Sequence, residues 1–93
     1  MANSLFISCA FSRPERTYDA MAAAIDALGV PSVEIHFALW HVNTAKSAAE
    51  VRERLKLALD VNDQLVVIDS LSGKVAWLHL PQAAEQRLRE IVS

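Results

Sequence analysis

A capped amphipathic helix between apolar segments constrains the fold of this chain more than any other feature. Ser47-Ala-Ala-Glu50 is a capping box, in which the Ser47 hydroxyl accepts a hydrogen bond from the Glu50 backbone N–H and the Glu50 carboxylate accepts one in return. The sequence therefore predicts a helix from Ser47 to about Leu59. Its buried stripe follows helical spacing: Val51, Leu55, Ala58 and Leu59.

The segments after this helix indicate an antiparallel hairpin and a last helix. The continuous apolar run Leu65–Ile68 predicts an interior strand. A turn at Ser72-Gly73 then predicts that 75–80 returns antiparallel, and Pro81 ends that strand. Ala84, Leu88 and Ile91 follow helical spacing and predict a short terminal helix, with Glu85 and Arg89 paired on its outer side.

The N-terminal third predicts a buried strand and a helix. Leu5–Phe11 is a short apolar run between polar residues, which favours a central strand buried on both faces. Pro14 and Glu15 suit a first helical turn, whereas Gly29 and Pro31 end the helix. The buried stripe of this helix is predicted at Tyr18, Met21, Ile25 and Leu28.

Residues 32–43 alternate with period two, which is typical of a strand. Twelve residues are long for one strand, yet no Gly, Pro or Asn-Gly marks a hairpin. One long bent strand and two strands meeting near Phe37-Ala38 both fit the pattern.

The resulting order is β-α-β(β)-α-β-β followed by a short helix. We expect one α+β domain over residues 1–93, a ferredoxin-like β-α-β-β-α-β sandwich with an extra C-terminal strand and short helix. Two helices cover one face of such a sheet. We expect a second copy to cover the other face and form a homodimer, with Trp40 and Trp77 at the interface.

Composition narrows the classes of function. The net charge of −2 excludes a global basic field for nucleic acid, so any polyanion contact needs a local cluster, and Arg13 with Arg16 is the only such cluster near the N-terminus. A single cysteine, Cys9, excludes an intrachain disulfide and fits a reducing cytoplasm. We expect no export and no membrane partner, because no basic n-region precedes Cys9 and no apolar run approaches the roughly 20 residues that span a bilayer.

Other reactive side chains fit structural roles. In a continuous strand His36 and His41 point to opposite faces, and no other ligand sits at metal spacing, so we expect no metal site. Cys9 lies in a predicted buried strand, whereas a catalytic thiolate needs exposure and a basic neighbour. The aspartates at positions 60, 63 and 69 follow turn and strand-end chemistry.

Four segments combine into a family pattern: Leu39-Trp-His-Val-Asn-Thr44, Ser47-Ala-Ala-Glu-Val-Arg52, Leu59-Asp-Val-Asn-Asp-Gln-Leu-Val-Val-Ile68 and Ala76-Trp77. With them the chain resembles the small SinR-like proteins, relatives of the CRISPR-associated small nuclease family (Cas-two) and of the VapD-type toxins. In those relatives a strand ending in Trp leads to a Ser-Ala-x-x-Val/Ile-Arg helix, then Leu-Asp-x-Asn-Asp and a late Ala-Trp. The matching positions cover almost the whole chain in register: Trp40, Ser47, Ala48, Val51, Arg52, Leu59, Asp60, Asn62, Asp63, Leu65, Ile68, Ala76 and Trp77.

The resemblance implies a ferredoxin-like protomer that forms a homodimer across its sheets, with two strands between the helices. Some relatives are metal-dependent endonucleases of RNA or DNA, and others are non-catalytic scaffolds that hold DNA. In the nuclease relatives the first strand ends in Tyr-Asp, and that Asp from each subunit holds a divalent metal near the dimer axis. The corresponding pair here is Cys9-Ala10, and Ala10 offers no ligand atom.

Two functions follow as hypotheses. The first is a non-catalytic dimeric module without a cofactor, which binds nucleic acid or a protein partner through Arg13 and Arg16. The alternative is an endonuclease of RNA or DNA that uses Mg²⁺ or Mn²⁺ on other carboxylates, such as Glu34 or Asp69. A small-molecule sensor has no motif to support it.

Overall fold

A computed structural model describes residues 3–72 and 74–92 and shows an α+β domain with five strands and three helices. Gly73 of the predicted Ser72-Gly73 turn lies outside the described residues, as do the side chains of Leu88 and Ile91 in the predicted terminal stripe. The elements in chain order are β1 (Asn3–Ala10), α1 (Pro14–Asp26), β2 (Ser32–His36), β3 (Leu39–Thr44), α2 (Ala48–Leu55) with a 3₁₀ turn (Lys56–Ala58), β4 (Gln64–Asp69), β5 (Val75–Leu78) and α3 (Gln82–Val92).

The strands form one antiparallel sheet in the order β2-β3-β1-β4-β5. Strand β1 is central, as its apolar run predicts, and it pairs with β3 through Leu5 opposite Val42 and with β4 through Ile7 opposite Val67. Strand β4 is also interior, because β5 pairs along its other edge. The prediction that 75–80 returns antiparallel to β4 is confirmed for Val75–Leu78, whereas His79 and Leu80 lie beyond the end of β5.

Helices α1 and α2 cover one face of the sheet and enclose the core. On α1, Met21 and Ile25 are fully buried, and on α2, Val51 and Leu55 are. Burying a side chain of this size stabilises a fold by about 1.5–3 kcal/mol. The strands contribute the inward-facing residues of each period-two pattern: Leu5, Ile7, Cys9, Trp40, Val42, Leu65, Val67 and Ala76.

The other face of the sheet, here the open face, is not covered by α1 or α2. The prediction that β1 is buried on both faces is therefore wrong: Phe6 is half-buried, and Ser8 and Ala10 are exposed. Pairing registers place one row of side chains across all five strands: Val33, His41, Phe6, Ile68 and Val75. A neighbouring row crosses β3, β1, β4 and β5: Leu39, Ser8, Val66 and Trp77. The continuous apolar runs of β1 and β4 thus reflect an apolar surface rather than two buried faces.

Residues 32–43 form two strands joined by a tight turn at Phe37 and Ala38. Ala38 has a positive φ of 63°, which a two-residue hairpin turn usually assigns to Gly or Asn. Two hydrogen bonds hold this conformation: the Cys9 N–H donates to the Ala38 carbonyl at 2.9 Å, and the Ala38 N–H donates to the Glu34 carboxylate at 2.9 Å. Tertiary contacts therefore supply what the local sequence lacks.

The helix ends follow their local signals. Both bonds of the predicted capping box are present, from the Glu50 N–H to the Ser47 hydroxyl at 3.1 Å and from the Ser47 N–H to the Glu50 carboxylate at 3.2 Å. Helix α2 ends at Leu55 and continues as a 3₁₀ turn, so regular helix stops before the predicted Leu59. Beyond α1, Gly29 adopts a φ of 68°, a conformation that glycine tolerates without strain.

Among the residues that the structure describes, no helix is long and apolar enough to cross a bilayer.

Candidate nucleic-acid interface

Arg13 and Arg16 converge on a surface cavity of about 340 Å³, here the arginine cavity, lined by Ser12, Arg13, Arg16, Asp60, Val61 and Asn62. The chain leaves the central strand at Ala10 and enters α1 at Pro14, so Arg13 is the N-cap residue and Arg16 lies in the first turn. The residues from 60 to 62 come from the loop before β4. The cavity therefore joins two loops at the end of the sheet where β1 finishes.

The buried carboxylate of Asp63 links these two loops through hydrogen bonds. Its Oδ1 accepts hydrogen bonds from the Ser12 N–H at 2.9 Å and the Ser12 hydroxyl at 3.3 Å, and its Oδ2 accepts one from the Asp60 N–H at 3.0 Å. Burial opposes the charge on this fully buried carboxylate, but the backbone hydrogen bonds from Asp60 and Ser12 outweigh it and lower the pKa of Asp63. The structural role predicted for this aspartate fits these contacts.

Both guanidinium groups are available to a ligand. Arg13 and Arg16 are exposed, and neither forms a salt bridge within residues 3–72 and 74–92. Asp60 is the one acidic residue among those that line the cavity. The positive end of α1 adds to the field of the two arginines. Two planar guanidinium groups that form no salt bridge within the described residues suit the oxygens of a phosphate.

An aromatic cluster lies on the other flank of α1. The rings of Tyr18 and Phe37 are stacked, with centroids 5.2 Å apart and planes at 11°. Phe11 meets both rings edge-on, at 6.1 Å from Tyr18 and 6.5 Å from Phe37. Trp40 stacks against Tyr18 from the core side at 5.9 Å. The cluster thus runs from the core to Phe37, which remains 63% exposed at the tip of the β2–β3 turn.

Sequence reasoning did not single out Phe37 as a functional residue. The pattern allowed one bent strand as well as two strands meeting near Phe37-Ala38, and no glycine decided between them, so it did not fix Phe37 at a turn. A large aromatic residue at the junction of two period-two segments is the one signal that could have indicated it.

The two tryptophans lie in different environments. Trp40 is only 5% exposed and faces the helices, so it belongs to the core of the protomer and its predicted role at the interface does not fit. Trp77 pairs with Val66 on the open face and remains half-buried. Its indole N–H donates to Glu85 of α3 at 2.9 Å, and the Arg89 guanidinium lies 5.3 Å from its ring. Glu85 and Arg89 approach each other at 3.9 Å, which confirms their predicted pairing.

The two carboxylates proposed for a catalytic metal lie on different strands, and each already accepts hydrogen bonds from other parts of the protein. Glu34 lies in edge strand β2, where it accepts hydrogen bonds from the Tyr18 hydroxyl and the Ala38 N–H. Asp69 ends β4, where one oxygen accepts from the N–H groups of Leu71 at 3.0 Å and Ser72 at 3.2 Å. Strands β3 and β1 separate them, a distance of about 14 Å at the usual strand spacing.

Among the described residues, the end of β1 also lacks a group of carboxylates that could hold a divalent metal. Ala10 pairs with Gln64, and the acid next to that pair, Asp63, is buried with its oxygens engaged by protein donors. The residues at this position therefore do not fit the metal that the family resemblance implies. Across the described ranges, no three His, Cys, Asp or Glu side chains form a group that could hold a metal ion.

The histidines and the cysteine have structural surroundings. The turn at residues 37–38 reverses the chain, so the continuous-strand argument does not apply, and pairing registers put His36 and His41 both on the open face. His79 follows β5, with its Nδ1 2.8 Å from the Asp63 carbonyl. Burial, with the nearby charge of Asp63, raises the pKa of Cys9 to about 12. This thiol is therefore protonated at neutral pH, as its predicted buried position implies.

Comparisons with protein-family models, with curated proteins and with solved structures find no significant match for this chain.

Proposed function

We propose that this chain is a small homodimeric module that binds nucleic acid without cleaving it, and that it is a ferredoxin-like relative of the SinR-like and Cas-two proteins. The convergence of Arg13 and Arg16 on one surface cavity, without intramolecular ion pairs among the described residues, carries the proposal. The sheet order β2-β3-β1-β4, with both core helices on one face, supports the ferredoxin-like assignment.

A phosphate backbone is the ligand that best matches this cavity. Guanidinium groups bind phosphate through paired hydrogen bonds as well as through charge. The chain carries a net charge of −2, so attraction must come from the local pair rather than from the whole surface. The same two side chains favour nucleic acid over an apolar protein surface, because such a surface would bury two guanidinium groups that form no salt bridge among the described residues.

The absence of catalysis is proposed from the residues at the end of β1. Metal-assisted phosphodiester cleavage needs carboxylates that fix the ion beside the scissile phosphate. Ala10 offers no carboxylate, and the carboxylate of Asp63 is buried and already accepts hydrogen bonds from Ser12 and Asp60. The alternative endonuclease would have to draw Mg²⁺ or Mn²⁺ ligands from Glu34 or Asp69, which lie on strands with two other strands between them within one protomer.

Homodimerisation through the open face is supported by the apolar side chains there. Val33 is 56% exposed in β2, and Ile68 is 38% exposed in interior strand β4. Half-buried Phe6 and Trp77 continue the same surface. A second copy would bury these side chains and compensate for the thin core of a short chain. A cytoplasmic location is proposed because the only cysteine has no partner in the sequence.

A binding experiment with matched arginine variants tests the proposal. Fluorescence anisotropy of labelled single-stranded and duplex oligonucleotides should show binding by the parent at low salt. Arg13→Ala/Arg16→Ala should lose at least tenfold in affinity, whereas Arg54→Ala/Arg87→Ala, two exposed arginines elsewhere, should bind as the parent does. Equal affinity of the two double variants, or no binding by the parent, would refute the role of the arginine cavity.

A cleavage assay tests the non-catalytic part separately. The protein should leave RNA and DNA substrates intact in Mg²⁺ or Mn²⁺. Cleavage that EDTA abolishes, and that follows the protein peak through a second purification, would instead establish the endonuclease.

A further inference from the structure

We propose that the nucleic acid at this site is single-stranded and that one of its bases stacks on the exposed ring of Phe37. The inference rests on the proposed function, because Arg13 and Arg16 supply the phosphate contacts. It specifies an unpaired strand as the ligand and Phe37 as the residue that contacts an unpaired base.

The position of Phe37 is fixed by the contacts around it. One face of its ring rests on Tyr18, and Phe11 supports its edge. The next residue, Ala38, is held at a φ of 63° by hydrogen bonds to Cys9 and Glu34. A non-glycine residue at positive φ is unfavourable, so the surrounding contacts must compensate for it. The fold thus holds a large apolar ring in solvent in a defined orientation.

An exposed, fixed aromatic ring suits a planar partner. With 63% of its surface exposed and one face already on Tyr18, Phe37 can extend the stack by one more ring. Nucleobases are planar and stack on aromatic side chains with little dependence on sequence. Tyr18 rests in turn on Trp40, so the base would end a stack anchored in the core.

The aromatic cluster and the arginine cavity lie close enough for one strand to reach both. Tyr18 and Arg16 differ by two helical positions, about 200° around α1, so they project from opposite flanks of this helix. Phe11, in the aromatic cluster, is followed directly by Ser12, which lines the cavity. A helix with its side chains is about 10–12 Å across, which a few nucleotides can span.

Stacking on Phe37 distinguishes single strands from duplexes. The bases of a duplex already stack on one another inside the helix, and a protein ring reaches them only after unstacking. Bases of a single strand are free to turn onto an aromatic ring. The site should therefore prefer an unpaired strand, whether DNA or RNA.

The test uses labelled oligothymidine and oligouridine of equal length, a blunt DNA duplex, and an oligothymidine with one 2-aminopurine. The parent should bind the single strands more tightly than the duplex and quench the 2-aminopurine. Phe37→Leu, which keeps apolar bulk but loses the ring, should weaken single-strand binding about fivefold or more and reduce the quenching. Phe37→Tyr should bind as the parent does, and so should Leu57→Ala, which alters a residue 91% exposed on the 3₁₀ turn. Circular dichroism confirms that each variant is folded.

The outcomes separate this inference from the proposed function. Single-strand binding that is lost in Arg13→Ala/Arg16→Ala but unchanged in Phe37→Leu would overturn stacking and leave the arginine cavity in place. A parent that binds the duplex more tightly than the single strands would also overturn the inference that the site takes an unpaired strand. If the parent binds none of the oligonucleotides, both proposals fail.

Discussion

The ring of Phe37 lies parallel to that of Tyr18, with 5.2 Å between centroids, although one residue is at the tip of a hairpin and the other is in α1. The Tyr18 hydroxyl donates to Glu34, the same carboxylate that accepts the Ala38 N–H. That hydrogen bond is also the main cause of the raised pKa of Tyr18. Helix, edge strand and turn are therefore coupled through one carboxylate.

Glu34→Ala should destabilise the protein and loosen the turn. The Ala38 N–H would lose its acceptor in a buried position, at a cost of about 1–3 kcal/mol in the free energy of unfolding. Chemical denaturation gives the difference from the parent. Glu53→Ala is the matched control, because Glu53 forms only surface ion pairs with Arg52 and Lys56, which contribute little. Equal unfolding midpoints for the two variants would show that Glu34 does not hold the turn.

Asp63→Asn should destabilise the protein at pH 7 and progressively less in acid. The amide would turn an N–H₂ toward a backbone N–H of Ser12 or Asp60, which costs about 1–3 kcal/mol. The folded-state pKa of Asp63 lies below its unfolded value of about 3.9, so the unfolded chain binds the proton first as the pH falls. The stabilisation by the carboxylate is complete above the unfolded pKa and is lost as pH falls through the folded pKa.

Denaturation of parent and Asp63→Asn at several pH values checks this. The stability difference should be constant near neutrality and shrink below about pH 4. Asp26→Asn, at the exposed end of α1, provides a control that should change stability little. A difference between parent and Asp63→Asn that stays constant into acid would contradict the role of the charged carboxylate.

Ile68→Glu should convert the proposed dimer into a monomer. Ile68 lies in interior strand β4 and is 38% exposed, so a charge there would face the partner's apolar surface. Light scattering should give twice the chain mass of 10.2 kDa for the parent and the single mass for the variant. Leu57→Glu adds the same charge outside the open face and should remain dimeric. A parent that scatters as a monomer at micromolar concentration would remove the dimer from the proposal.

Local signals in the sequence predicted the elements that local chemistry determines. The capping box at Ser47 and Glu50 is present, and the apolar runs of β1 and β4 identify the interior strands. The prediction from these runs that β1 is buried on both faces is wrong. An apolar run does not determine whether a helix, a second copy or solvent covers the second face of its strand. The pattern of residues 32–43 left one bent strand and two strands meeting near Phe37-Ala38 both open, because the positive φ of Ala38 depends on hydrogen bonds to Cys9 and Glu34 rather than on a local Gly or Asn.

The sequence predicted the charged residues of the candidate site but not its aromatic residue Phe37. Arg13 and Arg16 are close in sequence and stay together in the fold. The tryptophans drew attention as the largest aromatic residues, yet the pairing register turns Trp40 into the core and leaves Phe37 at the surface. That difference is set by the turn position, which only tertiary contacts determine.

The salt dependence of single-strand binding tests the arginine cavity most directly. Each phosphate neutralised on a single strand contributes about −0.7 to the slope of log affinity against log salt concentration. If Arg13 and Arg16 each contact a phosphate, the slope for Arg13→Ala/Arg16→Ala should be shallower than that of the parent by about 1.4, while Arg54→Ala/Arg87→Ala keeps the parent's slope. A double variant at positions 13 and 16 that retains the parent's slope and affinity would contradict phosphate binding at this cavity.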